Sequence, residues 1–466
     1  MREGLCDLPI VDAERVLDRL AALEQLIPQP LVQQVLRQTG RRDARRCTLT
    51  HEVTLWLVLA MGLFTDVPIR QVFKRARRLH PGEDAPHRSS LCLARQRLGL
   101  APVRQLCERA VRLLATPRTP GAYYQRWRLM TIDGTVLDVP DTDANAAAFG
   151  YPGSGRGHGA FPQVRKVSLV EVGTHVELAF VAKGVRAPRS GEQSLAPALF
   201  RYLRPDMLLV WDRNFFSFSL WKRLLRRRVQ VLARVSNRLV LKPRRRLADG
   251  SFLAKIYPSA ADRARDQHGV LVRVLRYTLD DPQRVGQGQE HVLLTTLRDA
   301  RRHPARALIV LYHERWEVEL VYDEGKTHLD PRRASKPAHL RSGTPAGVRQ
   351  ELYALSLGHF VVRAAMARAA ALTGTDVDRL SFTGCLQTLR ARLAECPRHA
   401  GPAQQQWYQG LLAELNRERT DDAVRRNRIN PRVVKCKMSK FAKKRPEHRR
   451  PPPLLQTFEE SVVLLH

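Results

Sequence analysis

Apolar positions along the chain fall into three regimes. Residues 12–26 carry Val16, Leu17, Leu20, Leu23 and Leu26, the spacing of one helical stripe. Residues 50–64 are apolar almost throughout and predict a more buried helix. Asp66 and Pro68 read as the N-cap and an early position of a helix over 69–79. Further helices are expected over 90–98 and 102–114. The stretch 116–121, with two prolines and a glycine, reads as a linker.

The period then changes. Residues 128–139 read as a strand containing Asp133. Residues 167–172 and 176–181 form a hairpin around Gly173-Thr174. A helix over 193–203 precedes a short apolar strand, 207–211, that ends at Asp212. A basic helix over 218–228 leads to a strand over 230–235. This order suits a mixed α/β sheet flanked by helices. Residues 238–290, with Arg244-Arg245-Arg246 and short strands, read as a β-rich insertion. A strand over 292–297 and a long helix over 304–326 follow. Helices resume over 345–415. The end is a basic tail from Lys435, with three prolines at Pro451 to Pro453 that no helix runs through.

Charge narrows the function. The 466 residues hold 79 Lys+Arg against 45 Asp+Glu, a formal net charge of +34. An arginine-rich excess of this size implies a polyanionic partner, nucleic acid first. Arg75, Arg77, Arg78, Arg95 and Arg97 on short N-terminal helices are placed to dock on DNA, or form a solvated basic face. The tail is expected to be extended, either a phosphate-binding arm or a solubilising end. Seven scattered cysteines without a C-x-x-C pair argue against a zinc site and for reduced thiols in a cytoplasmic protein. The longest apolar stretch, 53–64, is too short to span a bilayer.

In so basic a chain, acids inside apolar strands stand out, because a buried carboxylate needs a partner or a metal. Asp133 and Asp212 sit in or at the end of such strands. Carboxylates converging at a sheet edge suit hard divalent cations. Each alone is also compatible with a capped turn or an ion pair. On the predicted helix, Tyr312, Arg315, Glu319 and Lys326 fall within about 60° of one face at about 100° per residue. Ordinary i, i+4 ion pairing explains Arg315 with Glu319, but not the shared narrow face.

The pattern Tyr312-x2-Arg315-x3-Glu319-x6-Lys326 resembles the Y-R-E-K signature of insertion-sequence-4 family transposases. The Asp-Gly-Thr strand at Asp133, the Asp-Arg-x-Phe context at Asp212 and Arg315-Trp316 before the glutamate are similar too. The resemblance implies a ribonuclease H-like catalytic core over 121–340 with a β-rich insertion near 238–290. A helical DNA-binding region over 1–120, a helical C-terminal region over 341–434 with a dimerisation role, and a basic tail over 435–466 would flank it. It implies an acid triad, Asp133, Asp212 and Glu319, binding two Mg²⁺, with Mn²⁺ as a substitute. Cut-and-paste transposition would then proceed through a DNA hairpin. Tyr312, Arg315, Trp316, Lys326 and Arg213 would contact DNA. The partners implied are double-stranded DNA, as terminal inverted repeats and target, and a second copy of the chain. A non-cutting regulator of transposition is the alternative, though intact acids at all three positions argue against it. Relatives carry a base-stacking tryptophan on the insertion. Here the insertion offers only Phe252, Tyr257 and Tyr277, with Trp316 outside it.

Overall fold

The computed structural model describes residues 17–43, 47–79, 81–154, 157–282, 287–313, 315, 321–322, 324–325, 340–397, 401–419 and 455–465. The chain divides into two compact units. Unit 1 comprises Met1–Pro120, Gly134–Leu195 and Val318–Thr420; unit 2 comprises Gly121–Asp133, Ala196–Glu317 and Asp421–His466.

Unit 1 is built on helices α1 (Gln29–Gln38), α2 (His51–Leu63), α3 (Ile69–Ala76), α4 (Arg88–Leu98), α5 (Leu100–Ala110) and the short α6 (Asp143–Phe149) and α7 (Glu192–Leu195). Every residue of α2 from Val53 to Leu63 is buried, as its unbroken apolar run requires. Thr50 caps it by accepting from the Val53 amide. Its C-terminal carbonyls would be orphaned in the core. The Arg341 guanidinium meets that need, donating to the Met61, Phe64 and Val67 oxygens at 2.9, 3.1 and 2.6 Å. Arg390 Nε donates to the Leu63 oxygen at 2.6 Å. Gly99, at φ +73°, makes the left-handed turn between α4 and α5.

Asp66 is not the N-cap of α3. That position is Pro68, with no side-chain cap. Asp66 instead pairs with Arg75 at 3.4 Å and Arg390 at 3.9 Å, since Val67 and Pro68 extend the chain between it and the first helical amide. Residues 18–25 form a 3₁₀ helix rather than a long α-helix.

The longest helix of unit 1 lies beyond the signature region. Thr344 caps it by accepting from the Gly347 amide. By length and composition it could cross a membrane, yet 72% of its most apolar window is buried inside the protein. It crosses α2 at Gly358 against Gly62, where a Cβ on either glycine would run into the facing backbone. Gly62→Val should therefore separate the two helices and abolish soluble expression of the folded chain, as read by thermal melting. A Tm within a few degrees of wild type would contradict the close crossing.

Unit 2 is organised on strands. β1 (Tyr123–Tyr124) flanks β2 (Trp127–Asp138), which runs through both units. On the unit 1 side the hydrogen-bonded order continues from β2 to β5 (Gln163–Glu171) and β6 (Glu177–Gly184), after the small β3 (Gly153–Ser154) and β4 (Gly157–His158) pair. β5 and β6 are the predicted antiparallel hairpin. On the unit 2 side β2 is followed by β7 (Met207–Trp211) and β8 (Gln230–Val235), both parallel. Helix α8 (Phe218–Arg226) is the crossover between them. A hairpin beside a central strand and two parallel strands beyond it make up the ribonuclease H-like α/β core that the sequence implied.

The 238–290 stretch extends this sheet. β9 (Arg245–Arg246), β10 (Phe252–Ile256) and β11 (Val270–Leu279), with the short α9 (Ala260–Ala264) between the last two, join β12 (His291–Thr295), which pairs antiparallel with β8. Arg273 is buried in this region, ion-paired with Asp249 and donating to the Ser251 hydroxyl at 2.8 Å and the His303 carbonyl at 2.6 Å.

The 304–326 helix is seen as α10 (Ala305–His313), with helical turns again at 315, 321–322 and 324–325; the rest of its second half lies outside the described residues. Two expectations are corrected. The 193–203 helix is broken into α7 and two 3₁₀ turns, because Pro197 interrupts it. The end of the tail is ordered: β13 (Val462–Leu464) pairs antiparallel with β11. Arg306 holds that segment by donating to the Glu459 and Val462 carbonyls at 2.7 and 3.0 Å, and His313 stacks on Phe458 at 4.1 Å. Residues 435–454 lie outside the described residues.

The long capped helix is α11 (Pro345–Thr373), followed by α12 (Phe382–Arg392) and α13 (Pro402–Leu415).

Candidate active site

The parallel register of β2 and β7 sets the site. Ile132 lies opposite Trp211, so the next residue on each strand is a carboxylate, Asp133 and Asp212. Neighbouring parallel strands point the same way, and each acid therefore follows the last paired residue at the same edge. The β7 strand is wholly buried and stops at Trp211. Asp212 then opens a 3₁₀ turn, its carbonyl accepting from the Phe215 amide at 3.0 Å. Both acids are half-buried, with 23% of the Asp133 side chain exposed.

Arg315 brings a positive charge to this edge. Its guanidinium lies 3.9 Å from Asp133 Oδ2 and is itself buried. The same guanidinium sits over the Tyr312 ring at 5.9 Å. Tyr312 is 5% exposed, on α10. Burial pushes its hydroxyl above the usual phenol range; Arg315 opposes the rise and Asp212 adds to it. Asp133, Asp212, Tyr312 and Arg315 are thus gathered within unit 2. Arg213, beside Asp212, is exposed. Trp316, Glu319 and Lys326 fall outside the described residues. Among the described residues no group of three His, Cys, Asp or Glu side chains is arranged to hold a metal ion. The two aspartates offer hard oxygen donors, half-open to solvent at one edge, and fit a divalent cation.

Two parts of the chain match known families. Residues 17–108 match the insertion element 4 transposase N-terminal family, and residues 128–343 match the transposase DDE domain. The chain is 28% identical over 448 residues to the transposase InsG for insertion sequence element IS4 of Escherichia coli K12, covering 91% of this chain and 93% of that protein. The chain belongs to the IS4 family of DDE transposases. It is a metal-dependent enzyme of DNA strand cleavage and transfer. A solved piggyBac transposase synaptic complex with hairpin DNA superposes with TM-score 0.43 at 13% identity, covering 86% of each chain.

For this transposase the structure also revises several residue expectations. Of the five N-terminal arginines, three serve the fold. Arg77 pairs with Glu83. Arg78 pairs with Asp18 and donates to the Ala394 carbonyl. Arg95 donates to Gln350, Ser342 and the Gly347 carbonyl at 3.2 Å. Arg75 and Arg97 remain exposed. In the insertion, Phe252 and Tyr277 are buried core residues, and burial pushes the Tyr277 hydroxyl up to about 12. Neither is open to stack a base. Tyr257 is half-buried, its hydroxyl donating to Asp266 at 2.7 Å.

Sequence reasoning missed Glu324, which lies between Glu319 and Lys326 along the chain. Within unit 1 it is 3% exposed and held by Arg363 Nε at 2.9 Å, His359 Nε2 at 2.9 Å and His175 Nδ1 at 3.2 Å. The buried Arg363 and the two histidines hold its carboxyl well below the ordinary range despite burial. Arg363 and His359, on one face of α11, were the readable signal.

Proposed function

We propose that this transposase moves its element by cut-and-paste, through hairpin-ended DNA, as a dimer on paired ends in the bacterial cytoplasm. The observation that supports the reading is the register-matched pair Asp133 and Asp212 with Arg315 beside them. Asp133, Asp212 and Glu319 are assigned as the catalytic carboxylates that hold two Mg²⁺, for which Mn²⁺ substitutes. The bound ions supply an activated oxygen nucleophile and stabilisation of the leaving oxygen.

The chain's own residues do the rest. Arg315 balances Asp133 in the DNA-free protein and turns to a backbone phosphate when DNA is bound. Lys326 and the exposed Arg213 grip phosphates on either side of the reacting centre. Buried Tyr312 holds the Arg315 guanidinium, and Trp316 is the remaining aromatic for stacking an unpaired base. Water first attacks an end phosphodiester, breaking the bond to the 3′ oxygen. The freed 3′-hydroxyl attacks the opposite-strand phosphodiester, closing a hairpin and displacing the 3′ oxygen of the flanking DNA. Water reopens the hairpin, and the regenerated 3′-hydroxyl attacks a target phosphodiester, displacing the target's own 3′ oxygen. Residues 1–120 recognise the ends, and 341–434 contribute to pairing of subunits.

A supercoiled plasmid carrying the inverted repeats that bracket the gene tests this. Incubated with the protein and Mg²⁺, it should release an element whose ends are hairpins on denaturing gels. Nicked plasmid with no double-strand excision would overturn the cut-and-paste reading. In the same assay Arg315→Ala should slow hairpin closure more than the first nick, because closure needs strongly bent DNA held in line. Loss of one charge-assisted contact, about 1.5–3 kcal/mol, corresponds to one or two decades of rate. Equal loss at both steps would assign Arg315 to the metal site alone.

A further inference from the structure

The crossover helix α8 takes no part in the chemistry above. From Arg213 to Ala248 the sequence holds twelve arginines and lysines and no aspartate or glutamate. Helix α8 lies inside this run. Its inner face, Leu220, Trp221 and Leu224, is buried. Its outer face carries Lys222, Arg223 and Arg226, all exposed, and exposed Arg227 and Arg228 follow at its end. In unit 2 several acids pair with other cations: Asp206 with Arg204, Asp266 with Arg244 and Lys255, and Glu290 with Arg276. Among the described residues, none pairs with the five cations of this surface.

Helix polarity favours cations in a last turn, which accounts for Arg223, Arg226 and Arg227. It does not account for Lys222 at the middle of the helix, nor for the absence of a balancing acid. Arg228 adds a second oddity. It holds φ +57° at the end of the helix, where a glycine would ordinarily sit. The Val229 amide closes the turn onto the Leu224 carbonyl at 3.2 Å.

The geometry points to the outer face of α8, from Lys222 to Arg228, as a docking surface for the phosphodiester backbone of duplex DNA. The inference rests on the chain being a DNA-cutting enzyme but concerns a surface apart from the acids. Because β7 and β8 are parallel, the crossover starts on the Asp212 side and runs back along the sheet. Nine residues of helix extend about 13 Å, the axial rise of roughly four base pairs of B-DNA. A backbone lying on this face therefore passes from the reacting edge along the helix. The face is arginine-rich and carries no side-chain carboxylate or amide to read base edges, so it reads charge rather than sequence.

The test is DNA binding by the full chain without divalent metal, which keeps it independent of cleavage. Two duplexes of equal length are titrated by fluorescence anisotropy across a salt series: one carrying the element's inverted repeat, one scrambled. The variant Lys222→Ala/Arg226→Ala/Arg227→Ala should shallow the slope of log affinity against log salt by about 2–3, at about 0.9 per lost contact. Loss on both duplexes assigns the surface to flanking backbone of the element end as well as target; loss on the scrambled duplex alone assigns it to target. Lysine at the two arginine positions, with Lys222 kept, should restore the slope, since charge rather than shape is read. An unchanged slope on both duplexes, with the variant melting as wild type, would overturn the proposal. Cutting retained by Asp133→Ala, beside a shallower slope for the triple variant, would instead sink the assigned chemistry and leave this surface standing.

Discussion

Asp133→Ala and Asp212→Ala, each alone, should remove strand cleavage while leaving end binding within about threefold. The expected fall is about three decades or more in nicking rate, since each decade corresponds to about 1.4 kcal/mol of barrier and a metal site stabilises both attacking and leaving oxygens. The argument starts from the register. Ile132 opposite Trp211 makes the two carboxylates neighbours on adjacent parallel strands, and no acid beside either can substitute. Ile132 and Gly134 flank Asp133, and Thr131 and Thr135 beyond them carry no charge; Trp211 and Arg213 flank Asp212. Loss of either acid also leaves more positive charge at the edge, because Arg315 stays 3.9 Å from where the Asp133 oxygen was. DNA affinity should thus hold or rise slightly as cleavage disappears, the opposite of what a misfolded variant does. Nicking of an end-bearing plasmid in Mg²⁺, beside gel-shift binding, reads both. Near-normal nicking by either variant would remove that residue from the catalytic set. Glu319→Ala is expected to behave alike.

Much of this site was legible because it depends on local pattern. Met207 to Trp211 is an uninterrupted apolar run too short for a helix, and it forms β7 with Asp212 just beyond it. The Gly173-Thr174 turn between two β-branched runs forms the β5–β6 hairpin. What the sequence did not reveal depends on distant partners. Val462 to Leu464 is as apolar and β-branched as any strand, but its pairing with β11 reaches across the whole helical C-terminal region and the basic tail hides it. Asp66 looks like a cap beside Pro68, yet Arg75 and Arg390 claim its carboxylate. Arg77 and Arg95 read as DNA-facing cations and are instead buried, tied to Glu83 and to the start of α11. Charge counted along the sequence does not distinguish a guanidinium facing solvent from one closing a helix end. Exposure does, and it moves the basic surface of interest from the N-terminal helices toward α8.

Glu324→Gln should destabilise the helical unit by about 3–5 kcal/mol, the cost of leaving one member of a buried ion pair without its partner. Arg363, 2% exposed, would keep its charge in the core facing a neutral amide and the His175 ring instead of a carboxylate. The double variant Glu324→Gln/Arg363→Met should recover part of the loss, because no unpaired charge then remains. Urea unfolding, followed by tryptophan fluorescence, reads both; a single variant costing under about 1 kcal/mol would contradict a paired, buried Glu324. The same cluster sets an acid limit. Glu324 is held well below its ordinary range, so its stabilisation is present above the unfolded carboxylate value, about 4.3, and fades as pH falls toward the folded value. Burial also lowers His359, whose neighbours Glu324 and Arg363 pull in opposite directions. The unfolded chain therefore takes up that proton first, once pH falls below about 6.5. His175 faces Glu324, Arg363 and, at 3.8 Å, Asp378. For both shifted groups the unfolded state binds more protons, so stability rises with pH. The urea midpoint should decline from about pH 7 to about pH 3, the His359 part first, below about 6.5, and the Glu324 part below about 4.3. Replacing His359 with glutamine, which cannot titrate, should flatten the upper part of that decline and leave the lower. A midpoint independent of pH across this range would show that the cluster does not titrate with unfolding.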